Sequence, residues 1–91
     1  PHALSVLGNL GNVLLLAGHF EQALECHERV LKARPENAEA FFNKGLTLRA
    51  MGRLPQAIFC FDRALAVQQD YVEAEWDRSL TLLMNGDYQD G

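Results

Sequence analysis

The feature that most constrains this chain is an internal repeat with a period of 34 residues. When residues 1–57 are aligned with residues 35–91, sixteen of the 57 pairs are identical. Random pairing at ordinary amino-acid usage would give roughly four identities. Three glycines, Gly18, Gly52 and Gly86, keep the same spacing. A period of this length indicates a stack of similar units, each burying its apolar face against the next.

Each period has a helical interior. Apolar residues recur at spacings of three, four and seven over residues 4–16 and again over 20–33, and strand alternation is absent. The three glycines are placed to end helices in the left-handed conformation, and Asn37 is placed to cap the start of one. We therefore predict helices at about 3–17, 20–33, 37–51, 54–67 and 71–84, with a sixth beginning near Tyr88.

A helix, a short glycine turn, a second helix and a period of 34 residues resemble the tetratricopeptide repeat. The residues that carry the resemblance are Pro1, Gly11, Ala23, Pro35, Gly45, Ala57, Phe61, Ala64 and Ser79. His27 stands where the family has a core aromatic residue, so we expect a packed, hydrogen-bonded histidine there.

The resemblance implies an all-α fold, a right-handed superhelical stack of antiparallel helix pairs with about two and a half repeats. It implies one domain over residues 1–91, with repeats at about 4–37 and 38–71 and a half repeat at about 72–91.

The resemblance also implies that the first helix of each pair lines a concave groove that binds an extended peptide or a partner protein. The groove residues assigned in this way are Asn9, Asn12, Glu39, Phe42, Asn43, Leu46, Arg49, Glu73, Trp76 and Asp77. Two of these residues, Asn9 and Asn43, are one repeat apart. Asparagine amides can hydrogen-bond a peptide backbone without reading its sequence, although asparagine here can also bond a neighbouring helix.

The remaining groove residues leave alternatives open. The aromatic residues Phe42 and Trp76 are either binding anchors or part of the packing between helices. Three carboxylates face one cation, Arg49, so a neutral or basic segment suits the groove better than an acidic one. Elsewhere, the spacing of four residues between Glu25 and Arg29 and between Glu28 and Lys32 predicts weak ion pairs on a solvated face.

Composition and motifs exclude several classes of function. With 8 Lys and Arg against 12 Asp and Glu, the chain lacks the basic face that nucleic acids or anionic membranes require. No nucleophile elbow or phosphate-binding loop occurs, so no enzymatic activity and no cofactor are expected. Because Cys26 and His27 point in different directions on one helix, we expect no metal site. Cys26 and Cys60 occupy equivalent places in successive repeats, too far apart for a disulfide, which predicts free thiols and a cytoplasmic setting.

The sequence therefore predicts a non-enzymatic module that binds an extended peptide or a partner protein. One alternative is a substrate-positioning repeat segment of a larger enzyme, because residues 75–88 resemble the final repeat of bacterial proteins whose repeats precede a glycosyltransferase-like domain. The other is an oligomerisation scaffold, in which the apolar surface of the last helix associates with a second copy.

Overall fold

The computed structural model describes residues 2–86, with side chains from Ala3 onward, and these residues form five helices and no strand. The helices are α1 (His2–Leu16), α2 (Phe20–Ala33), α3 (Ala38–Ala50), α4 (Leu54–Val67) and α5 (Val72–Asn85). Every helix begins and ends within one residue of its predicted bound. The sixth helix expected near Tyr88 lies outside the described residues.

The turns between paired helices depend on left-handed glycines. Gly18 and Gly52 have φ angles of +87° and +82°, which a residue with a Cβ adopts only with strain. The chain then reverses, and the Arg53 amide donates to the Leu48 carbonyl at 2.9 Å, closing the end of α3. At the next helix start, the Asn37 side chain accepts a hydrogen bond from the Ala40 amide at 2.9 Å, as the sequence predicts.

Paired helices approach closely because glycine faces a ring at each crossing. A Cβ atom added to Gly45 would lie 2.6 Å from the Phe61 ring, and one added to Gly11 would lie 2.5 Å from the His27 ring. Phe61 and His27 are both completely buried. The small residues of α1 and α3 therefore set the distance at which α2 and α4 pack.

Successive repeats are joined by ion pairs that also follow the period. Lys44 in α3 contacts Glu28 in α2 at 3.5 Å, and Arg78 in α5 contacts Asp62 in α4 at the equivalent positions. The predicted pair of Glu28 with Lys32 is wrong, because the partner of Glu28 comes from the next helix in the stack.

One buried threonine lies in the first helix of the second repeat, and an equivalent one lies in the first helix of the third. Thr47 and Thr81 are fully buried, and their hydroxyls donate to the carbonyls of Asn43 and Asp77 one turn earlier. These hydrogen bonds satisfy the polar atoms that small β-branched residues bring into the interface.

Each helix contacts its neighbours in sequence, and the first helices of successive repeats also contact one another. The result is an all-α repeat solenoid with extents of 46 × 28 × 18 Å, and its core cluster contains Leu48, Ala57, Cys60 and Phe61. None of the described helices combines the length and the apolarity that crossing a bilayer requires.

Candidate peptide-binding groove

A groove of about 460 Å³ lies between α1, the second half of α2 and the start of α3, and we call it the N-terminal groove. Its walls are Leu4, Ser5, Gly8, Asn9, Asn12, His27, Val30, Arg34, Asn37, Glu39, Ala40 and Asn43. Residues 5, 8, 9 and 12 share one face of α1 because they are separated by three or four positions. The close approach of α2 at Gly11 brings the second wall beside them.

The three predicted asparagines and Glu39 all line this groove. Asn9 is exposed, Asn12 is half-buried, and Asn43 is only 7% exposed. The sequence-based expectation had the Asn43 side chain open to a ligand, so the structure places this amide deeper than expected. Asn43 therefore belongs both to the groove wall and to the interior of the stack.

Two other predicted residues belong to the packing between helices. The Phe42 ring lies 5.8 Å from the Phe61 ring and 5.2 Å from the Tyr71 ring, between centroids. Leu46 is half-buried and, like Phe42, packs against the core cluster. Neither residue lines the N-terminal groove. The ring contacts of Phe42 are those of packing between helices, and its role toward a ligand stays a prediction.

Arg49 and Asp77 neutralise each other across the stack. The Arg49 guanidinium lies 3.1 Å from the Asp77 carboxylate and also donates to the Thr81 hydroxyl at 3.3 Å. Only 20% and 17% of the two side chains are exposed. The cation and one of the three carboxylates assigned to the groove are thus engaged with each other, joining α3 to α5. In the sequence, this ion pair is only two opposite charges 28 positions apart. The geometry of the stack is needed to recognise that the two side chains meet.

Glu73 and Trp76 lie on the exposed surface of α5. Trp76 is 71% exposed and is one of five large apolar side chains on the open α5 face: Val72, Trp76, Leu80, Leu83 and Met84. These residues lie away from the N-terminal groove. The predicted site residues therefore divide among a polar groove, an interior cluster and an apolar surface.

The pKa of Tyr71 reflects the acidic surroundings between the N-terminal groove and α5. Burial raises the pKa of Tyr71 to about 12, and the negative charges of Glu39 and Glu73 add to the rise. Because both carboxylates act on the same hydroxyl, they provide a local negative potential beside the groove.

His27 is the groove residue for which sequence reasoning was partly wrong. Its ring is packed as expected, but none of the described residues supplies a hydrogen-bond partner to Nδ1 or Nε2. Burial lowers the pKa of His27 to about 4, which keeps the imidazole neutral near pH 7. The sequence does mark this position as unusual, because a histidine stands where the repeat family has a core aromatic residue.

The described residues offer no metal-binding cluster. Among residues 3–86, no group of three or more His, Cys, Asp or Glu side chains is arranged to hold a metal ion. Cys26 and Cys60 are buried, unbridged thiols. Burial raises the pKa of Cys60, which disfavours the nucleophilic thiolate.

The family model of the tetratricopeptide repeat matches residues 5–37 and 38–71. These two matches span most of the chain, which therefore belongs to the tetratricopeptide repeat family. Repeats of this family generally mediate protein–protein interactions. No curated protein matches the sequence.

Several solved structures of MamA proteins share the fold. A MamA point mutant superposes with a TM-score of 0.83 at 22% identity, over 99% of this chain and 66% of that one. A MamA RS-1 double mutant gives 0.86 at 21% identity, over 94% and 48%. MamA AMB-1 gives 0.81 at 22% identity, over 96% and 48%. The chain thus spans about half to two thirds of the structures that it resembles, and at these identities the likeness shows the fold alone.

Proposed function

We propose that this chain is a non-enzymatic interaction module that binds an extended peptide segment of a partner protein in the N-terminal groove. The observation that carries the proposal is the set of three asparagines, Asn9, Asn12 and Asn43, on the walls of one groove formed by two successive repeats. Each amide offers donors and an acceptor, which match the alternating N–H and C=O groups of an extended backbone.

The charges beside the groove favour a neutral or basic segment. Arg49, the cation that would attract an acidic tail, is bound to Asp77. Arg34 and Glu39 both line the groove and offset each other, while Glu73 adds a further exposed carboxylate beyond Tyr71. The whole chain carries a net charge of −4. An acidic peptide would therefore approach against a negative potential.

The groove is formed before a peptide arrives, because the contacts that define it are internal to the repeats. Gly11 against His27 sets the separation of α1 and α2, and Glu28 with Lys44 fixes α3 against α2. A preformed groove leaves most of the ordering cost with the flexible peptide. The two buried thiols favour a reducing compartment, and we propose a cytoplasmic setting.

The open α5 face supports a second candidate function, a scaffold that self-associates. Five large apolar side chains are at least 40% exposed along this face. A two-fold contact of this face with itself would bury them without a separate partner. Peptide binding remains the leading function because the groove combines shape with hydrogen-bonding groups.

Calorimetric titration of the asparagine variants tests the proposal. The probe is a capped peptide selected from a random display library on the wild-type chain. Asn43→Ala should weaken that peptide by about 1–3 kcal/mol, since a backbone amide in the groove would lose its partner. Asn9→Ala should weaken it as well while leaving the melting temperature unchanged, because Asn9 is exposed.

Gln56→Ala is the matched control, because it removes a side-chain amide from an exposed position in α4 that does not line the groove. Undiminished affinity in both asparagine variants would contradict the proposal. A large loss of melting temperature in Asn43→Ala with unchanged affinity would show that this amide is structural only.

A further inference from the structure

The outer face of α1 carries a stripe of exposed apolar side chains. Its members are separated by three or four positions and therefore share one side of the helix. The stripe consists of Ala3, Val6, Leu10, Val13 and Ala17, and we call it the α1 seam. Val6, Leu10 and Val13 are 62%, 45% and 60% exposed. Ala17 continues the last helical turn, because its amide donates to the Val13 carbonyl at 2.9 Å. A continuous apolar stripe of this kind is typical of a contact between helices.

The equivalent faces of α3 and α5 have a different composition. They carry an alanine, a cation and a threonine, which are Ala40, Lys44 and Thr47 in α3 and Ala74, Arg78 and Thr81 in α5. The alanines and threonines are buried, and each cation pairs with a carboxylate of the preceding helix. At the same positions of the repeat, α1 carries Val6, Leu10 and Val13. The first repeat therefore presents large apolar side chains where the other two present small or charged ones.

The α1 seam does not complement a helix of the kind that precedes α3 or α5. Such a helix presents a carboxylate, Glu28 in α2 and Asp62 in α4, to the cation of the next repeat. Leu10 stands where Lys44 stands in the second repeat, so a carboxylate packed there would lose water without gaining a partner. Residues 1–20 contain no Asp, Glu, Lys or Arg. The seam thus favours a helix face that is itself apolar and uncharged.

The α1 seam is complementary to itself. Read from either end, its residue types are Ala, Val, Leu, Val and Ala, with Leu10 at the centre. If two copies of α1 pack antiparallel about a two-fold axis beside Leu10, alanine faces alanine and valine faces valine. The alternating spacing of three and four positions is that of a coiled-coil seam. Because the seam carries no charge, this pairing brings no like charges together.

We propose that the α1 seam is a docking surface for a second copy of this chain, with the two α1 helices antiparallel about a two-fold axis at Leu10. This contact is distinct from one through the open α5 face, because α1 and α5 lie at opposite ends of the described stack. It also leaves the N-terminal groove open, since the groove residues of α1 lie about 120° round the helix from the seam. Because α1 has only 15 residues, the interface is small, and we expect a weak dimer with a dissociation constant of roughly 10–100 µM.

Sedimentation equilibrium of Leu83→Gln tests the contact, because this background weakens association through the open α5 face. The decisive variant adds Val6→Ala, Leu10→Lys and Val13→Thr, which copy the face of α3 and therefore suit the fold. We expect the background chain to dimerise and this seam variant to dimerise at least about tenfold more weakly. Gln56→Lys is the matched control, because it adds the same charge at an exposed position of α4, and it should leave the dimer unchanged.

A cysteine at position 10 reports directly on the two-fold axis. The native Cys26 and Cys60 are buried, so an introduced surface thiol is the one that reacts. When diamide oxidises two such thiols to a disulfide, Leu10→Cys should give a covalent dimer much faster than Gln56→Cys. Both variants are made in the Leu83→Gln background.

Each outcome either supports or overturns the α1 contact. A monomer at high micromolar concentration in the Leu83→Gln background would overturn it, as would a dimer that persists in the seam variant. Equal rates of cross-linking at positions 10 and 56 would overturn the two-fold arrangement. A monomer that binds phosphatidylcholine vesicles, with binding lost in the seam variant, would assign the seam to a lipid surface instead.

The controls keep this inference separate from the proposed function. Circular dichroism verifies the fold of each variant, and Leu10→Lys alone decides the matter if the seam variant does not fold. The seam variant should bind a display-selected peptide as tightly as the wild type, because Asn9 and Asn12 lie on another face of α1. Failure of the dimer therefore leaves peptide binding in place.

Discussion

At the scale of single residues, two glycines that look alike in the sequence have opposite roles. A Cβ atom at Gly45 would lie 2.6 Å from the Phe61 ring, whereas one at Gly8 would meet nothing within 4 Å. We predict that Gly45→Ala lowers the free energy of unfolding by about 1–3 kcal/mol through overpacking. Gly8→Ala should raise it by up to about 1 kcal/mol, because alanine favours the helix.

Urea unfolding followed by circular dichroism measures both changes under the same conditions. Gly8→Ala acts as the matched control for Gly45→Ala, since the substitution is the same and both positions lie within helices. Equal effects of the two substitutions would show that Phe61 does not constrain the helix separation.

His27 should make stability depend on pH. Burial lowers its pKa from 6.5 in the unfolded chain to about 4 in the folded chain. Between these values the unfolded state binds more protons, so the contribution is fully present above pH 6.5 and is lost as the pH falls toward 4. His27→Phe removes this dependence. We expect the wild type to lose about 3 kcal/mol relative to His27→Phe over this range.

Denaturant titrations of both proteins at intervals from pH 7 to pH 4 measure the difference. Arg34 and Glu39, which line the same groove, are present in both proteins, so the comparison isolates the contribution of His27. If the free energy of unfolding changes with pH equally in the two proteins, the folded chain accommodates a charged His27.

At the scale of elements, the contact between α3 and α5 depends on a shielded ion pair. Arg49 and Asp77 are 20% and 17% exposed, while the pair of Arg78 with Asp62 is 38% and 48% exposed. A double-mutant cycle with Arg49→Gln and Asp77→Asn should give a coupling energy of about 1–2 kcal/mol. The matched cycle on Arg78 and Asp62 should give less than about 0.5 kcal/mol, because solvent screens that pair.

The same elements show what the sequence predicts well. Helix bounds follow from local features, namely the periodicity, the glycine turns and the Asn37 cap, and all of these are visible in a short window. The expectation that Asn9, Asn12 and Asn43 line one groove comes from the resemblance to the repeat family, and their role in binding a peptide stays a prediction.

Other features could not be predicted from the sequence, because they depend on contacts between distant positions. The partner of Glu28 lies on the next helix and the partner of Arg49 lies two helices further along, at separations that only the superhelix brings together. The depth of Asn43 and the missing partner of His27 depend on how closely two helices approach. These quantities are set by side-chain volumes at several positions at once.

At the scale of the whole molecule, the open α5 face predicts association between copies. The apolar side chains along it would each gain roughly 1.5–3 kcal/mol on full burial. We expect the average mass in sedimentation to rise with concentration in the high micromolar range. Leu83→Gln, at a position that is 52% exposed, should shift the association to higher concentration without lowering the melting temperature.

Gln22→Ala, an exposed position in α2, serves as the control for this measurement. A monomer at every concentration, for both the wild type and Leu83→Gln, would rule out the scaffold function. A concentration-dependent mass that is the same in Leu83→Gln would place the contact elsewhere on the molecule.

The central claim is that the N-terminal groove binds an extended peptide, and nuclear magnetic resonance tests it most directly. In a titration of the ¹⁵N-labelled chain with a display-selected peptide, the side-chain amide signals of Asn9, Asn12 and Asn43 report on the groove. The Trp76 indole reports on the α5 face. We predict saturable shifts of the three asparagine amides while the Trp76 indole signal stays in place. Shifts confined to Trp76 and its neighbours on α5, with unmoved asparagine signals, would contradict the account.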